Sequence, residues 1–304
     1  MDCLSKKKIM IIGAAIVDVL VSPAEADVFS TGSYPAEEVC MAFGGDALNE
    51  ATVLAALGKQ VRLQTIIGSD TAGEMIRNHC EKLGIELEEG CVREELTTGV
   101  NVVLVQKNGE RNFLTNRNGS LRKLTLDDVK RPFPNEADIL CFASIFVFPE
   151  IGAGELAAIF RSAKKQGMTV CADMTKRKNR ETAEELAEAF SYVDYLIPNE
   201  EEAFLITGET DVKCAAEKLR SCGAKYVIIK CGKRGCYLCS DETAKYVPAV
   251  EHVNCLDTTG AGDSFTAGFL YGLSEGWPVE KCARFANECG ARAVEKLGAT
   301  SWCV

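Results

Sequence analysis

The chain has 304 residues, 47% of them hydrophobic, with 44 acidic against 34 basic side chains and a net charge of −10. That is enough apolar material for one large α/β domain or two modest ones, and too much for a disordered or fibrous chain. The acidic balance excludes a long phosphate-tracking surface, so no nucleic-acid partner is expected, whereas a small anionic ligand in one basic pocket stays compatible.

The chain opens on a decoy. Lys6, Lys7 and Lys8 precede an apolar run over residues 9–21, and "AEA" at 24–26 imitates a cleavage site, but Asp18 interrupts the run. No charge-free apolar stretch approaches the roughly 20 residues of a membrane span, so no membrane partner is expected. The 15 cysteines are scattered singly through apolar runs such as "DILCFA" and "MTVCAD", which reads as a reduced, cytoplasmic chain.

Residues 9–12 read as a buried strand followed by Gly13, and "DALNEATVLAALG" (46–58) as a helix closed by a glycine. A strand in "VRLQTIIG" and a helix in "TAGEMIRNHCEKLG" follow. Then the pattern repeats: "DILCFA" leads to a helix over 155–165, "MTVCAD" to one over 181–190 and "VDYLIPN" to one over 200–206, and a helix over 212–219 precedes "YVIIKCG". Short apolar strands alternating with helices predict a mostly parallel sheet covered on both faces. Residues 18–41 and 100–115 break the rhythm as extended segments, the second a hairpin turning at "KNGE". Together they are expected to form a small β lid, spanning about 16–42 and 97–118, over the edge of the sheet where open α/β folds bind ligands. No repeat or linker divides the chain, so residues 1–304 are expected to form one domain. In "KCGKRGCYLC", Cys231, Cys236 and Cys239 offer one metal-like spacing; neither histidine, His79 or His252, is near to complete a zinc shell, and the cysteines are expected to fill a strand and its turn.

Neither a P-loop nor a Gly-x-Gly-x-x-Gly turn is present. "LDTTGAGDSFTAGFLYGL" (256–273) offers another route to phosphate. A helix starting near Ala261 or Gly262 points its unpaired N–H groups at the loop, and glycines let a polyphosphate approach the backbone, making an anion hole. Asp263 in that field has two readings. It can be a first-turn acid complementing the helix, or a general base that takes a proton from a hydroxyl attacking a terminal phosphoryl group.

"DTTGAGDSFTAGF" (257–269) closely resembles the C-terminal signature of the ribokinase-like, PfkB-type carbohydrate kinases, and "FGGDALNEATVLAALG" (43–58) the N-terminal one. The resemblance covers nearly the whole chain and is nearest to uncharacterised bacterial sugar kinases of that family, which share "GAAIVD" and "TNRNGSL"-like stretches. It implies an α/β three-layer sandwich of the ribokinase kind. It also implies that Asp263 is the catalytic base, with Gly260, Ala261 and Gly262 as its anion hole. By the same resemblance Asp18 holds sugar hydroxyls, and Gly44, Gly45 and Asn49 frame the sugar; a carboxylate and an amide suit vicinal diols. Asn199 and Glu202 match the Asn-x-x-Glu element that helps place Mg2+ and phosphate through water, although an asparagine cap before an acidic helix explains them as well. Lys230, Gly232 and Gly235 in "KCGKRG" match the nucleotide-side loop, Asn287 falls where the last long helix passes the adenine of ATP, and Asp257 and Thr259 fall where some members bind a monovalent cation such as K+.

Departures bear on the substrate. Ile16 stands where ribokinases have Asn and Asp46 where they have Lys, and "DMTKR" (173–177) follows the Asp-x-Asn-x-Arg pattern only in part. The chain stops soon after Gly298, which is expected to thin one flank of the nucleotide site. Arg111 and Arg117 lie on or beside the lid hairpin; pointing inward, either guanidinium would favour a sugar acid. The expectation is an ATP- and Mg2+-dependent kinase acting on a primary hydroxyl of a monosaccharide or sugar acid, dimeric through its lids. Its rivals are a nucleoside or sugar-phosphate kinase on the same scaffold and a sugar-binding regulator without catalysis.

Overall fold

Four apolar side chains in the five positions of Lys8–Ile12 leave no polar face, so this strand, β1, can exist only inside a sheet covered on both sides. The computed structural model, which describes residues 7–107, 110–134 and 137–304, places it there. From β1 the chain enters β2 (Ile16–Ser22) and β3 (Glu38–Gly44), then α1 (Asp46–Ala56), β4 (Val61–Gln64), β5 (Ile67–Gly68), α2 (Thr71–Leu83), β6 (Glu86–Leu87) and β7 (Val92–Arg93). After β8 (Gly99–Val105) and β9 (Arg111–Thr115) come β10 (Ala137–Ile145), α3 (Ala153–Lys165), β11 (Thr169–Met174), α4 (Ala187–Phe190), β12 (Tyr195–Ile197), α5 (Glu200–Thr207), α6 (Val212–Ser221) and β13 (Tyr226–Lys230). The hairpin β14 (Cys236–Cys239) and β15 (Ala244–Val247) precedes the last helices, α7 (Ala261–Ser274) and α8 (Val279–Val294).

Nine strands make the main sheet in the order β15-β14-β13-β12-β11-β10-β1-β4-β6, parallel from β6 to β13 and antiparallel only at the β14 and β15 edge. One core lies between the sheet and α3, α4, α5 and α6; the other lies between the sheet and α1, α2, α7 and α8. The fold is thus an α/β three-layer sandwich. A separate four-stranded sheet, β3-β2-β8-β9, puts Ala42, Asp18, Asn101 and Thr115 in one cross-strand row. Side chains alternate between faces of a strand, so that row shares a face with Arg111 while Val39, Met41 and Leu114 belong to the other.

Several local expectations need correction. The helix expected over 181–190 is only Ala187–Phe190, because Thr182 and Glu185 bond each other's backbone amides and Ala183 is tied to the Ile206 carbonyl, which holds the preceding residues in turns. "VRLQTIIG" divides into β4 and β5, and 18–41 is extended only at its two ends, with a short 3-10 turn at Ala26–Phe29 between them. Cys236 and Cys239 sit in different cores on opposite faces of β14, so their spacing cannot converge on a metal. Lys6 and the Asn108 and Gly109 of the "KNGE" turn lie outside the described residues.

Candidate active site

The site is built around the first turn of α7. Gly260 caps the helix at φ +70°, and a Cβ there would lie 2.5 Å from the Cα and carbonyl oxygen of Ala299, so both the left-handed backbone and the close approach require glycine. At Gly262 the situation is reversed. A Cβ would meet only Lys230 Nζ, at 3.6 Å, so packing within the chain would tolerate a methyl group and the bare backbone is left open beside an ammonium. The helix bonds begin with Ser264 N–H to the Gly260 carbonyl, 2.8 Å, leaving the amides of Gly262 and Asp263 in the first turn, where helix geometry supplies no partner. Behind this mouth, Gly268 and Gly272 let α7 lie directly on Cys289 and Cys282 of α8, fixing its direction.

Asp263 does not cap the helix with its side chain. Its Oδ2 instead accepts a hydrogen bond from Asn49 Nδ2 of α1, 2.7 Å away, leaving Oδ1 without a described partner. Burial, and then the charge of Asp46, lift this carboxyl well above the usual range, against the pull of Asn49 and Lys230. A carboxylate so placed is a stronger base than an exposed aspartate.

On the other side of Asn49 lies the second sheet. Asp18 accepts from Asn101 Nδ2 at 3.0 Å, and Asn101 Oδ1 accepts from Thr115 Oγ1 at 2.7 Å, a polar chain running across three strands. Burial and the charge of Asp46 raise Asp18 above its ordinary value. Gly44 makes room for that carboxylate: a Cβ there would fall 2.3 Å from Asp18 Oδ2. Gly45, at φ +89°, brings the start of α1 against the Ala14 carbonyl. Asp46 accepts from the Ser144 hydroxyl at the end of β10. Beneath Asn49, Glu50 is wholly buried with only the Cys141 thiol, 3.4 Å away, beside one oxygen. Burial, reinforced by Asp173, Asp263 and Asp46, raises its pKa well above the ordinary glutamate value.

The opposite flank centres on Lys230, at the end of β13. Its ammonium donates to both oxygens of Asp173, at 2.6 and 2.8 Å, and Thr266 Oγ1 donates to the same carboxylate at 2.6 Å. Burial works against the Lys230 charge, but Asp173 and Glu202 hold its pKa above the ordinary lysine value. Asn199 and Glu202 form a reciprocal capping box at the start of α5, Glu202 N–H to Asn199 Oδ1 at 2.9 Å and Asn199 N–H to Glu202 Oε2 at 2.7 Å. Burial pushes Glu202 up to about 7, Lys230 opposing and Asp173 reinforcing the shift. Gly232 and Gly235, at φ +55° and +90°, shape the turn from β13 to β14. Asn287 donates to the carbonyls of Val247 and Pro248 at 3.2 and 3.0 Å, which makes it a tie between α8 and the strand after the turn rather than a free hydrogen-bonding group.

Asp257 and Thr259 are bonded to one another and to Arg111 of the second sheet. Asp257 Oδ1 accepts from the Thr259 amide (2.9 Å), the Thr259 hydroxyl (2.7 Å) and Arg111, and Oδ2 accepts from the Gly298 amide (2.9 Å). The other Arg111 nitrogen donates to Thr259 Oγ1. Burial works against the Asp257 charge, but these bonds and the guanidinium hold its carboxyl below the usual range. Arg117, exposed on the turn after β9, has no hydrogen-bond or ion-pair partner among the described residues.

The model of the pfkB family of carbohydrate kinases matches residues 6–304. The chain belongs to that family. This kinase is 31% identical to a cytidine kinase of Thermococcus kodakarensis over 84% of its own length and 88% of the relative's. It is 25% identical to a 2-dehydro-3-deoxygluconokinase of Haemophilus influenzae, over 96% and 95%. Among solved structures it superposes on an Arabidopsis thaliana ribokinase complexed with ribose and ATP with a TM-score of 0.78, at 26% identity, covering 98% of this chain and 96% of that one. The pfkB kinase is accordingly a phosphotransferase that uses an alcohol group as acceptor.

Asp18, Gly44, Gly45, Asp46, Asn49, Lys230 and Gly260 to Asp263 do come together around one mouth. Sequence reasoning missed Asn101, Thr115, Ser144, Glu50 and Thr266, and treated Asp173 only as part of an imperfect motif. For Asn101 a signal existed, since an amide in the apolar run "GVNVVLV" needs a buried partner. The kinase thus gathers Asp173, Glu202 and Asp263 about the Lys230 ammonium, and Glu202 is raised to about 7 chiefly by burial, with Asp173 and Asp46 adding to the shift. Among the described residues no group of three acidic, His or Cys side chains is placed to hold a metal ion.

Proposed function

We propose that this enzyme transfers the terminal phosphoryl group of ATP to a hydroxyl, in the first instance a primary one, of a monosaccharide or sugar acid, with Asp263 as general base. One observation carries the reading: at a single helix mouth a carboxylate with a raised pKa, oriented by Asn49 from the Asp18 side, adjoins bare first-turn amides and the Lys230 ammonium. Asp263 Oδ1 receives the hydroxyl proton as the oxygen attacks, and its raised basicity brings it nearer the working pH of such a catalyst. The amides of Gly262 and Asp263 stabilise charge on the transferring group. Asp18 and Asn49 orient the acceptor, with Asn101 and Thr115 fixing the rotamer of Asp18, and Gly232 and Gly235 shape the nucleotide-side turn. Mg2+, when bound with ATP near Glu202 and Asn199, supplies neutralising charge on the phosphates.

The second sheet acts as a lid that excludes water and so prevents ATP hydrolysis. Its outer face exposes Val39, Met41 and Leu114, and pairing of two such faces forms the homodimer. The reduced thiols suit a cytoplasmic enzyme. Arg117, exposed and two residues beyond Thr115 in the chain, is the group that would take a substrate carboxylate, and the likeness to a 2-dehydro-3-deoxygluconokinase supports sugar acids among the acceptors. The likeness to a cytidine kinase makes nucleosides the second class. A panel of neutral sugars, sugar acids and nucleosides assayed for ADP release, with Asp263→Asn as control, decides. Turnover with one class, lost by a factor of about 10² to 10⁴ or more in the control, is expected. Tight binding of a sugar with no turnover would instead make the protein a regulator.

A further inference from the structure

We infer that Arg111 is a tethered substitute for a monovalent cation, so that the charge bracing the anion-hole loop arrives with the lid and the enzyme needs no K+. Each carboxylate oxygen has about two acceptor positions; Asp257 Oδ1 is fully used by the amide and hydroxyl of Thr259 and by Arg111, while Oδ2 accepts from the Gly298 amide. Thr259 Oγ1 already donates to Asp257 and accepts from Arg111. An ion of the potassium type is held by several oxygen lone pairs directed at one point. Here Asp257 Oδ1 and the Thr259 hydroxyl, which would face such an ion, are bridged by the Arg111 guanidinium instead. The pair is well enclosed, with side-chain exposures of 24% for Arg111 and 3% for Asp257, so the attraction is poorly screened by salt.

The location gives the substitution a consequence. Arg111 is the first residue of β9 in the second sheet, whereas Asp257 and Thr259 belong to the loop that ends in Gly260 and the open amides of α7. A free ion would organise that loop whether or not the lid was in place. A guanidinium on the lid can do so only while β9 lies against the body of the enzyme. Arg111 shares a face of the second sheet with the Asp18 row, and its charge opposes, weakly, the burial that raises Asp18. Lid position and phosphate binding are therefore coupled through one side chain, which acts as a positioning residue and does not touch the reacting atoms.

The test needs no knowledge of the acceptor, because it reads the melting temperature and the affinity for the Mg2+ complex of a fluorescent ATP analogue, each in KCl, NaCl and choline chloride at equal ionic strength. The wild-type protein is expected to show the same values in all three salts. Arg111→Ala is expected to bind the nucleotide about tenfold more weakly in choline chloride, the size of a lost charge-assisted hydrogen-bond pair. KCl or guanidinium chloride at low millimolar concentration should restore most of that loss and raise the variant's melting temperature. Arg111→Lys, which keeps the charge, should remain indifferent to K+. A wild-type protein stabilised by K+ over choline would overturn the inference. So would an Arg111→Ala protein that binds as well as wild type in choline, or one that is folded, weak and rescued by neither cation. Failure of the kinase reading would look different: no ADP release with any acceptor, whatever the salt.

Discussion

Glutamine at position 202 keeps the outline of the side chain and an oxygen for the Asn199 amide, and removes a proton equilibrium. Glu202 titrates at about 7 in the folded chain against an ordinary 4.5, a difference of about 2.5 units or roughly 3.4 kcal/mol between its two protonation states. The folded form binds the proton more tightly than the unfolded one, so the stability associated with this group is greatest in acid and falls as pH rises from about 4.5 through about 7. Linkage puts the penalty that Glu202 imposes at about 1.4 kcal/mol near pH 5.5 and about 3.3 kcal/mol near pH 8. Glu202→Gln removes it. The variant's advantage over wild type should therefore grow by about 2 kcal/mol between those two pH values, and any fixed cost of the new amide cancels in the comparison. With unfolding entropies of about 2 cal/mol/K per residue, a chain of 304 residues converts this into roughly 3 °C of additional melting temperature. Thermal melts of both proteins at the two pH values measure it directly, and the Mg2+ concentration needed for half-maximal turnover should rise at the same time. A stability difference that is the same at both pH values would refute the claim that burial beside Asp173 holds this carboxyl near neutrality.

Other perturbations separate packing from chemistry. Gly262→Ala has room for its methyl group within the chain, so its melting temperature should stay within about 1 °C of wild type while affinity for ATP falls about tenfold or more, because a phosphate can no longer reach the amides; equal nucleotide affinity would remove the anion hole from the mechanism. Lys230→Met leaves Asp173 buried without its ammonium, at a cost of about 3 to 5 kcal/mol. Asp173 can then shed the penalty only by taking up a proton, so urea unfolding should show the loss shrinking from pH 8 toward pH 5.5; a loss unchanged with pH would mean that Asp173 is already neutral in the parent. Arg117→Ala should lower kcat/KM for sugar acids by about tenfold or more while sparing neutral sugars, and an unchanged ratio between the two would take Arg117 out of the acceptor site.

The elements whose side chains face only their own neighbourhood were legible in the sequence. β1, α2 and the strands from β10 to β13 follow from apolar runs and glycine stops, since a fully buried strand needs nothing beyond its own composition to be recognised. The 181–190 segment failed because helical periodicity cannot register that Ala183 is tied to the Ile206 carbonyl and that the chain stays in turns until Ala187. The "GAGD" and "FGGD" motifs carried the mouth of the site for a similar reason. Bare backbone and a helix entrance are local facts, visible wherever three small residues precede an acid.

What the motifs could not carry is pairing. The motif of Asp263 gives no sign that Asn49, 214 positions earlier, donates to its carboxylate. Nor does the stretch around Asp257 and Thr259 show that Arg111, 146 positions from Asp257, lies across them. In both cases the partner is delivered by another layer of the fold. The same holds for charge: Glu202 is an ordinary first-turn acid by sequence and becomes a group that titrates near neutrality because the fold buries it, with Asp173 from β11 adding to the shift. A site assembled this way should be sensitive to anything that shifts α1, the second sheet or β11 relative to α7. Substitutions at that spacing, far from any motif, are where changes of acceptor preference would be sought first.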